Sequence, residues 1–462
     1  MKVDWRSRKK QSNSFRPAPV ISVGFLLLIF LGTFLLVLPV SSAKGTATSL
    51  VDALFTATTS VCVTGLTVVS TADDWSLFGQ GVILILIQLG GLGVVTSVMT
   101  FMLVFHRRIG LKNRMLIQAA YGWNSMYGVS HMISKIVRGT LLVELAGAAC
   151  YMMVLVPKNG RKGVWDAVFL SVSAFCNAGM DTMGNSSLSV YRENVWMNIV
   201  TMVLIILGGL GFLVWWEILA LLRGRREKKI PLRLLISRMS LHTKMVLIAT
   251  FVCILAGTIV VFLCEFHNPE TLGMLSVPQK FLAALFQSVT TRTAGFFTIS
   301  QSALEDDTSV FCMLLMFIGG SPGGTAGGVK TVTVAMVLCA VMAAVKGREE
   351  TRVFHRSISD SNVKKGLAVI MLSLTIWIVM TMLLSCVEDA DFMKISYETM
   401  SAIGTVGLSK DLTPMLHVPG KLILCVMMYL GRIGPITLAA SFLSKGQSDD
   451  FVHFPEENIM LG

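Results

Sequence analysis

Residues 53–65 of the chain read Ala53-LFTATTSVCVT-Gly65, and three later stretches follow the same plan. They are Ala167-VFLSVSAFCNA-Gly179, Ala284-LFQSVTTRTA-Gly295 and Ile395-SYETMSAIGTV-Gly407. Each has an aromatic residue nine or ten positions before its glycine, and small or hydroxyl-bearing residues fill most of the rest. Such a stretch is apolar enough to enter a bilayer but too short to cross it, since a crossing needs about 20 apolar residues. The pattern therefore predicts four re-entrant segments.

Each re-entrant segment ends at a glycine, whose backbone reaches φ values closed to other residues. Non-helical backbone survives at membrane depth only where protein or a water-filled path satisfies its N–H and C=O groups. One such glycine would equally fit an ordinary turn or a helix-packing contact. Four at equivalent places favour a four-fold arrangement around one pore. Carbonyls would then face a dehydrated cation, with the C-terminal dipole ends of the preceding helical portions behind them.

The composition is that of a polytopic membrane protein. Of 462 residues, 53% are hydrophobic and only 14% are charged, and the mean hydropathy is +0.70. The net charge of +12 is better explained by membrane topology than by nucleic-acid binding, because most basic residues lie between apolar runs. Nine cysteines occur without a C-x-x-C pair, and all seven histidines lie outside the apolar helix cores. These observations argue against disulfides, an intramembrane metal site and a histidine proton relay.

A helix–loop–helix unit recurs four times, which predicts an all-α protein with eight transmembrane helices. The first helix, near 19–40, has the basic flank of a signal peptide but exceeds its usual apolar length, so we expect it to be retained. The outgoing helices are predicted near 77–105, 195–222, 309–345 and 420–443. The predicted organisation is a cytoplasmic N-terminal segment at 1–17, pore repeats at 18–107, 131–224, 241–348 and 364–446, and a cytoplasmic C-terminal tail at 447–462.

Charge predicts the orientation of these units. Basic residues concentrate at the N-terminus and between units, for example from Arg223 to Lys244, whereas acidic pairs such as Asp73 and Asp74 lie beside the re-entrant segments. By the positive-inside rule both termini are cytoplasmic and the re-entrant segments enter from outside. The basic cluster at 158–162 departs from this pattern and is outweighed by the rest.

A second glycine recurs in each outgoing helix, 24 to 29 residues after the first: Gly90, Gly208, Gly319 and Gly431. The next residue is glycine in three units but Arg432 in the fourth. An arginine at mid-membrane costs about 2.5–3.5 kcal/mol on insertion scales and faces a cavity or a partner. It would either pair with a membrane glutamate, Glu144 or Glu217, or lie beneath the filter and raise the barrier for cations. We prefer the second interpretation.

The third outgoing helix contains Ile318-GGSPGGTAGGVKT-Val332, with six glycines and a proline inside an apolar run. Proline removes a backbone donor and glycine weakens a helix, so we expect a break at mid-depth. The break would be a movable loop in the pore or, alternatively, a kink packed on a neighbouring helix. A phosphate-binding P-loop is rejected, because Val329 separates Gly328 from Lys330 and no strand is predicted before it.

The motifs TSVCVTGL, SAFCNAGM, TTRTAGFF and SAIGTVGL, with GGSPGGTAGGVK and LGRIGPITL, resemble the Trk/Ktr/HKT potassium-transporter superfamily. The resemblance covers about residues 17–462 and is greatest to bacterial KtrB-type membrane subunits. It implies an ion selectivity filter at Thr64, Gly65, Asn177, Ala178, Gly179, Thr293, Ala294, Gly295, Thr405, Val406 and Gly407. It implies a gate at Gly319, Gly320, Ser321, Pro322, Gly323, Gly324, Thr325, Ala326, Gly327, Gly328, Lys330 and Arg432.

The resemblance further implies potassium bound by filter carbonyls, with no cofactor in the chain, and it leaves open sodium as an activator. The expected partners are a second copy of the chain, a cytosolic nucleotide-binding KtrA-type ring and membrane lipid, in the cell inner (plasma) membrane. In related plant proteins serine at the first filter position accompanies sodium transport, so Gly65 favours potassium. The third segment is one residue shorter than the others and carries Arg292, which makes its local geometry a departure from the pattern.

Three other functions compete with a gated, channel-like potassium pore. A symporter with alternating access would also need broken helices, but the four units are parallel and no inverted pair is apparent. An intramembrane enzyme would need motifs that are missing here, such as H-E-x-x-H, G-x-S-x-G or paired intramembrane aspartates. A purely structural subunit would not need four filter-like segments. We therefore expect a transport protein and no enzymatic activity.

Overall fold

The protein is predominantly helical in the residues that its computed structural model describes, which are 17–104, 129–184, 186–228, 237–348 and 350–434. The helices are α1 Pro17–Val37, α2 Leu50–Cys62, α3 Leu77–Leu92, α4 Val94–Val104, α5 Val129–Asn159, α6 Arg161–Cys176, α7 Val195–Leu210, α8 Phe212–Lys228, α9 Leu241–Cys264, α10 Val277–Thr290, α11 Asp306–Phe317, α12 Thr331–Val345, α13 Asp360–Val387, α14 Phe392–Gly404 and α15 Val418–Ile433. Between α12 and α13, strand β1 (Thr351–Val353) pairs antiparallel with β2 (Arg356–Ile358).

Four helices are long and apolar enough to cross a membrane: α1, α5, α9 and α13. The pairs α3–α4 and α7–α8 also qualify if each bent pair counts as one span, which makes six among the described residues. The predicted number of eight crossings stays a prediction, because residues 435–443 of the predicted fourth outgoing helix lie outside the described residues. The predicted N-terminal segment at 1–17, apart from Pro17, and the predicted C-terminal tail at 447–462 also lie outside them.

A short helix fills most of each re-entrant segment. The helices α2, α6, α10 and α14 have 13 to 16 residues each, and each ends three to five residues before its glycine. At 1.5 Å per residue such a helix is only about 20–24 Å long, less than the roughly 30 Å hydrocarbon core. Each of these helices is therefore too short to cross a membrane by itself, in agreement with the length limit read from the sequence.

The four units follow one another in a closed order. Each short helix packs against the outgoing helix of the unit before it: α6 against α3, α10 against α7, and α14 against α11. The short helix of the first unit, α2, packs against α15 of the fourth unit. The ends of the short helices are thereby brought to one central place.

The first and second outgoing helices are bent, which the sequence did not predict. The continuous helices expected near 77–105 and 195–222 are wrong: α3 and α4 meet at 100°, and α7 and α8 at 99°. Gly93 and Gly211 occupy the bends with φ of +83° and +91°, a conformation that an α-helix cannot continue. Glycine in an apolar run is equally compatible with close helix packing, so these bends carry no clear signal in sequence. The expected interruption of the third outgoing helix is present between α11 and α12.

In the first, second and fourth units, the second glycine of the outgoing helix is explained by a close contact with the short helix of the same unit. A Cβ added to Gly90, Gly208 or Gly431 would overlap the carbonyl oxygen of Val61, Phe175 or Ile403 respectively. Each of these carbonyls lies four residues before a filter glycine. The glycines let the outgoing helix lie directly against the end of the short helix and so position the residues that follow it.

This contact predicts that Gly208→Ala destabilises the protein by roughly 1–3 kcal/mol, because the new methyl group has no room beside the Phe175 carbonyl. The matched control is Gly81→Ala in α3, where nothing lies within 4 Å of the added Cβ. That change should be neutral or stabilise by about 0.5–1 kcal/mol, since glycine weakens a helix interior. Thermal unfolding in detergent measures both variants, and equal melting temperatures would show that the contact is not tight.

Candidate ion pathway

In the first, second and fourth units the short helix ends in a common hydrogen-bonding motif that turns the chain sharply. In the first unit Val63 N donates to Ser60 O at 3.2 Å and Thr64 N donates to Thr59 O at 2.9 Å. This paired pattern is the Schellman motif, and the second and fourth units repeat it at Asn177–Ala178 and Thr405–Val406. The residue in the left-handed conformation is usually glycine, yet here it is Val63 (φ 56°), Asn177 (59°) and Thr405 (51°). A β-branched residue in this region is strained, which is characteristic of functional sites.

The four glycines predicted to form the filter converge, and each lies against the backbone of the next unit. A Cβ added to Gly65 would lie 2.6 Å from Ala178 O and 3.1 Å from Gly179 Cα. At Gly179 the corresponding atom is Ala294 O at 2.6 Å, and at Gly295 it is Val406 O at 2.5 Å. A Cβ added to Gly407 would overlap Thr64 O, so the fourth unit contacts the first unit in the same way. The four carbonyls that precede the glycines therefore form a closed ring with them.

Hydroxyl groups of the short helices hold the extended segments in place. Thr59 Oγ1 accepts from Gly65 N at 2.9 Å, and Ser401 Oγ accepts from Gly407 N at 3.0 Å. In the second unit Ser173 Oγ accepts from Met180 N at 3.1 Å. In the sequence these residues look like any other small polar residue of the segment. Their shared position, six residues before the glycine, is the signal that could have identified them.

The third segment reaches the same position by another route. Its helix α10 ends at Thr290, and the next residue, Thr291, is right-handed (φ −59°), so the paired capping bonds of the other units are replaced. The left-handed residue is Thr293 (φ 65°), again two positions before the glycine. Thr290 Oγ1 donates to Phe296 O at 2.5 Å. The third segment is therefore one residue shorter in the part before Thr293, and Gly295 occupies the same position in the ring as the other three glycines.

The glycine-rich segment 318–330 lies against the ends of α6 and α7 in the second unit and the end of α14 in the fourth unit. Ser321 N donates to Gly209 O at 2.9 Å, and Thr325 N donates to Gly208 O at 3.1 Å. Thr325 Oγ1 also donates to the carbonyl of Phe175, near the end of α6. On the other side, a Cβ added to Gly327 would overlap the side chain of Thr405. The segment therefore reaches from the bend of α7 to the filter residue of the fourth unit.

The structure brings Arg432 into contact with this segment. Its guanidinium donates to Thr325 O, to Gly90 O and to Gly91 O. The two glutamates considered as its partners bond elsewhere: Glu144 accepts from Gln88 Nε2 at 3.3 Å, and Glu217 accepts from the residues at the start of α9. Arg432 thus links the fourth unit, the first unit and the glycine-rich segment.

The predicted filter residues all lie together at the ring. Three of them, Thr64, Thr293 and Thr405, have buried hydroxyls with no partner among the described residues. Lys330, at the end of the glycine-rich segment, donates to the carbonyls of Ala326 (2.8 Å) and Gly327 (3.3 Å) and so closes the segment on itself. Among the described residues no cluster of three or more His, Cys, Asp or Glu side chains could hold a metal ion.

Asp181, two residues beyond Gly179, is an acidic residue that the sequence did not single out. Its carboxylate is buried and accepts from Ser187 Oγ at 2.7 Å and from Met183 N at 2.9 Å. Burial raises the pKa of the Asp181 carboxyl to about 6, against the lowering effect of these hydrogen bonds. The segment that leaves the second filter glycine therefore contains a titratable group.

The fold and the ring define a class of protein: a polytopic membrane protein whose short helices bring backbone carbonyls together at one place. The chain belongs to the TrkH family of cation transport proteins, which matches residues 3–454. It is therefore a transport protein and not an enzyme.

Two curated relatives are similar over nearly the whole length. The Ktr system potassium uptake protein B of Bacillus subtilis is 39% identical over 449 residues, 97% of each chain. The potassium/sodium uptake protein NtpJ of Enterococcus hirae is 37% identical over 461 residues, 98% of this chain and 99% of that one. The solved potassium transporter TrkH of Vibrio parahaemolyticus has the same fold, with a TM-score of 0.73 over 95% of this chain and 87% of that one, at 18% identity.

The environment of Asp181 predicts a pH-dependent stability. Because its folded-state pKa of about 6 lies above the ordinary value of 3.8, the folded protein keeps a proton that the unfolded chain releases. The stabilisation is complete below about pH 4 and is lost as the pH rises through 6. Asp181→Asn should therefore remove roughly 1 kcal/mol of the stability difference between pH 5 and pH 7.

Melting temperatures of both proteins at pH 5 and pH 7 measure this difference. The same substitution at the exposed Asp389 is the control. Parallel pH profiles for wild type and Asp181→Asn would contradict the prediction.

Proposed function

We propose that the chain is the ion-translocating subunit of a Ktr-type potassium uptake system and conducts through a gated, channel-like pore. In this proposal four helix–pore-loop–helix repeats surround one pore in a pseudo-four-fold arrangement. The observation that carries it is the ring in which each filter glycine meets the carbonyl of the next unit. A ring of backbone carbonyls can replace the hydration shell of a potassium ion. The names of the two curated relatives support potassium as the ion, and that of NtpJ supports a role for sodium.

The gate is proposed to be the glycine-rich segment together with Arg432. The segment contacts the second and fourth units, while Arg432 joins it to the first unit through the carbonyls of Gly90 and Gly91. A cation beneath the filter would meet both backbone in its path and a fixed positive charge. Coulomb repulsion between unit charges 4 Å apart is roughly 4 kcal/mol at an effective dielectric of about 20, enough to slow passage strongly.

The proposed setting is the plasma membrane, with both termini cytoplasmic and a second copy of the chain as partner. The word "system" in the name of the relative of Bacillus subtilis supports an assembly with further subunits. We propose that this further subunit is a cytosolic nucleotide-binding ring that moves the gate. An alternating-access symporter is less well supported, since a closed order of four parallel units offers no inverted pair to exchange.

For the filter, we predict that Gly65→Ser lowers the preference for potassium over sodium by roughly tenfold, equivalent to about 1.4 kcal/mol. The serine side chain would collide with Ala178 O, and the residue would have to keep a φ of +100°. The readout is competition between the two ions in uptake by proteoliposomes. Gly45→Ser is a matched control, because Gly45 also has a positive φ but nothing lies within 4 Å of its added Cβ. A preference equal to that of wild type in the Gly65 variant would remove Gly65 from the filter.

For the gate, Arg432→Ala and deletion of Ser321–Ala326 should each raise the transport rate per molecule and reduce its dependence on a regulatory partner. Both changes act on one barrier, so their effects should not add. Arg432→Lys keeps the charge and should raise the rate less than Arg432→Ala. Flux is normalised to purified, reconstituted protein, so that loss of folded protein is not mistaken for loss of rate. A normalised rate that stays flat or falls in both variants would refute the gate.

A further inference from the structure

A second arginine lies in the region beneath the filter. Three positions before the filter glycine the four units carry Cys62, Cys176, Arg292 and Gly404. In the second unit this residue faces the preceding outgoing helix, since a Cβ added to Gly91 would lie 2.6 Å from Cys176 Sγ. The equivalent pair at the junction of the second and third units is Gly209 and Arg292, which line one small cavity. Arg432 occupies the junction of the fourth and first units, so the two guanidinium groups lie at opposite junctions of the closed order.

The guanidinium of Arg292 is buried, and only 7% of the residue is exposed. Nη2 donates to Thr250 Oγ1 of α9 across 3.5 Å, and Nε has no partner among the described residues. A guanidinium group carries five N–H donors, and an incompletely bonded charge inside a membrane is costly. Ionisable groups retained at this depth by default indicate a functional role.

The cavity beside Arg292 connects it to the base of the glycine-rich segment. Its volume is about 10 Å³, enough for one water molecule, and Thr250, Gly209 and Gly320 are among the residues that line it. Gly209 supplies the carbonyl that accepts from Ser321 N at 2.9 Å, and Gly320 directly precedes Ser321. The side chain of Arg292 thus borders the point where the proposed gate is attached to the bend of α7.

The backbone of Arg292 is part of the third filter segment. The first, second and fourth segments are turned by paired capping bonds, but the third has a right-handed residue at Thr291 instead. Arg292 immediately precedes the left-handed Thr293. A bond from its side chain to α9 therefore anchors the segment whose backbone capping differs from that of its three counterparts.

We propose that Arg292 is a positioning residue that couples the third filter segment to the base of the gate, by holding both against α9 and the bend of α7. This inference rests on the proposed filter and gate. A shift of the gate segment changes the walls of the cavity at Gly209 and Gly320 and so changes the support of Thr293 and Gly295. Loss of the guanidinium should then alter ion preference and transport rate together.

The test compares Arg292→Met, which keeps an unbranched side chain but removes all donors, with Arg292→Lys, which keeps a charge. Potassium flux and potassium–sodium competition are measured on reconstituted protein, normalised to folded molecules. In Arg292→Met we expect the rate to rise and the potassium preference to fall, each about threefold, a size typical of coupled residues. Arg292→Lys should lie between wild type and the methionine variant. Arg192→Met, a change of a partly exposed arginine, is the control.

The deletion of Ser321–Ala326 separates the coupling from the gate itself. In that background Arg292→Met should leave the rate unchanged while still lowering ion preference. If the deletion alone does not raise the rate, the gate proposal fails. The effect of Arg292→Met on ion preference is then still measured in the full-length chain.

A purely structural role would show as a lower melting temperature with wild-type rate and preference per folded molecule, and it would overturn the coupling. A change in only one of the two properties in the full-length chain would overturn it as well. If Arg292→Met does not fold, Thr250→Val decides, because it removes the hydroxyl partner and should move both properties in the same directions. Wild-type behaviour of that variant would then refute the proposal.

Discussion

The rest of the structure depends on one backbone contact repeated four times, in which a glycine of one unit lies against the carbonyl that precedes the glycine of the next. No side chain takes part in it, so it leaves space for nothing larger than hydrogen on each glycine. Because the contact closes from Gly407 back to Thr64, every unit touches both of its neighbours. Four such contacts bring backbone carbonyls to one place, where a carbonyl in an apolar surrounding costs several kcal/mol unless water or an ion satisfies it.

The short helices and the bent outgoing helices position these four contacts. A helix of 13 to 16 residues is too short to cross a membrane, and in the first, second and fourth units a Schellman ending turns the chain within two residues. The outgoing helix then lies against the same helix end, which is possible because Gly90, Gly208 and Gly431 leave the carbonyl of the short helix uncovered by side chains. The bends at Gly93 and Gly211 turn the second halves of two outgoing helices by 100° and 99°, and the glycine-rich segment lies against the bend at Gly211.

Beneath the ring, the polar groups of the described residues include backbone carbonyls, Lys330 and two arginines. Arg432 bonds carbonyls of the first unit and of the glycine-rich segment, and Arg292 borders the opposite junction. Guanidinium groups suit such a site because their fixed fork of donors can satisfy several carbonyls at once. A positive charge near a cation pathway opposes conduction, so the same bonds that order the segment also favour a closed state in the proposed mechanism.

Much of the architecture was readable from the chain alone. Four short apolar segments ending in glycine, a second glycine column and the composition predicted a helical membrane protein, the re-entrant segments and the broken third helix, because bilayer thickness and the backbone freedom of glycine act locally. The bends at Gly93 and Gly211, the hydroxyl of Thr59 that holds Gly65 and the cavity shared by Arg292 and Gly209 were not readable. Each depends on which unit lies beside which, and a glycine or threonine in an apolar run has the same local preferences whether or not a neighbour's carbonyl faces it. The sequence by itself determined where the chain enters and turns within the membrane; only the tertiary structure decided what meets at those turns, because contacts between units depend on the closed packing order of all four.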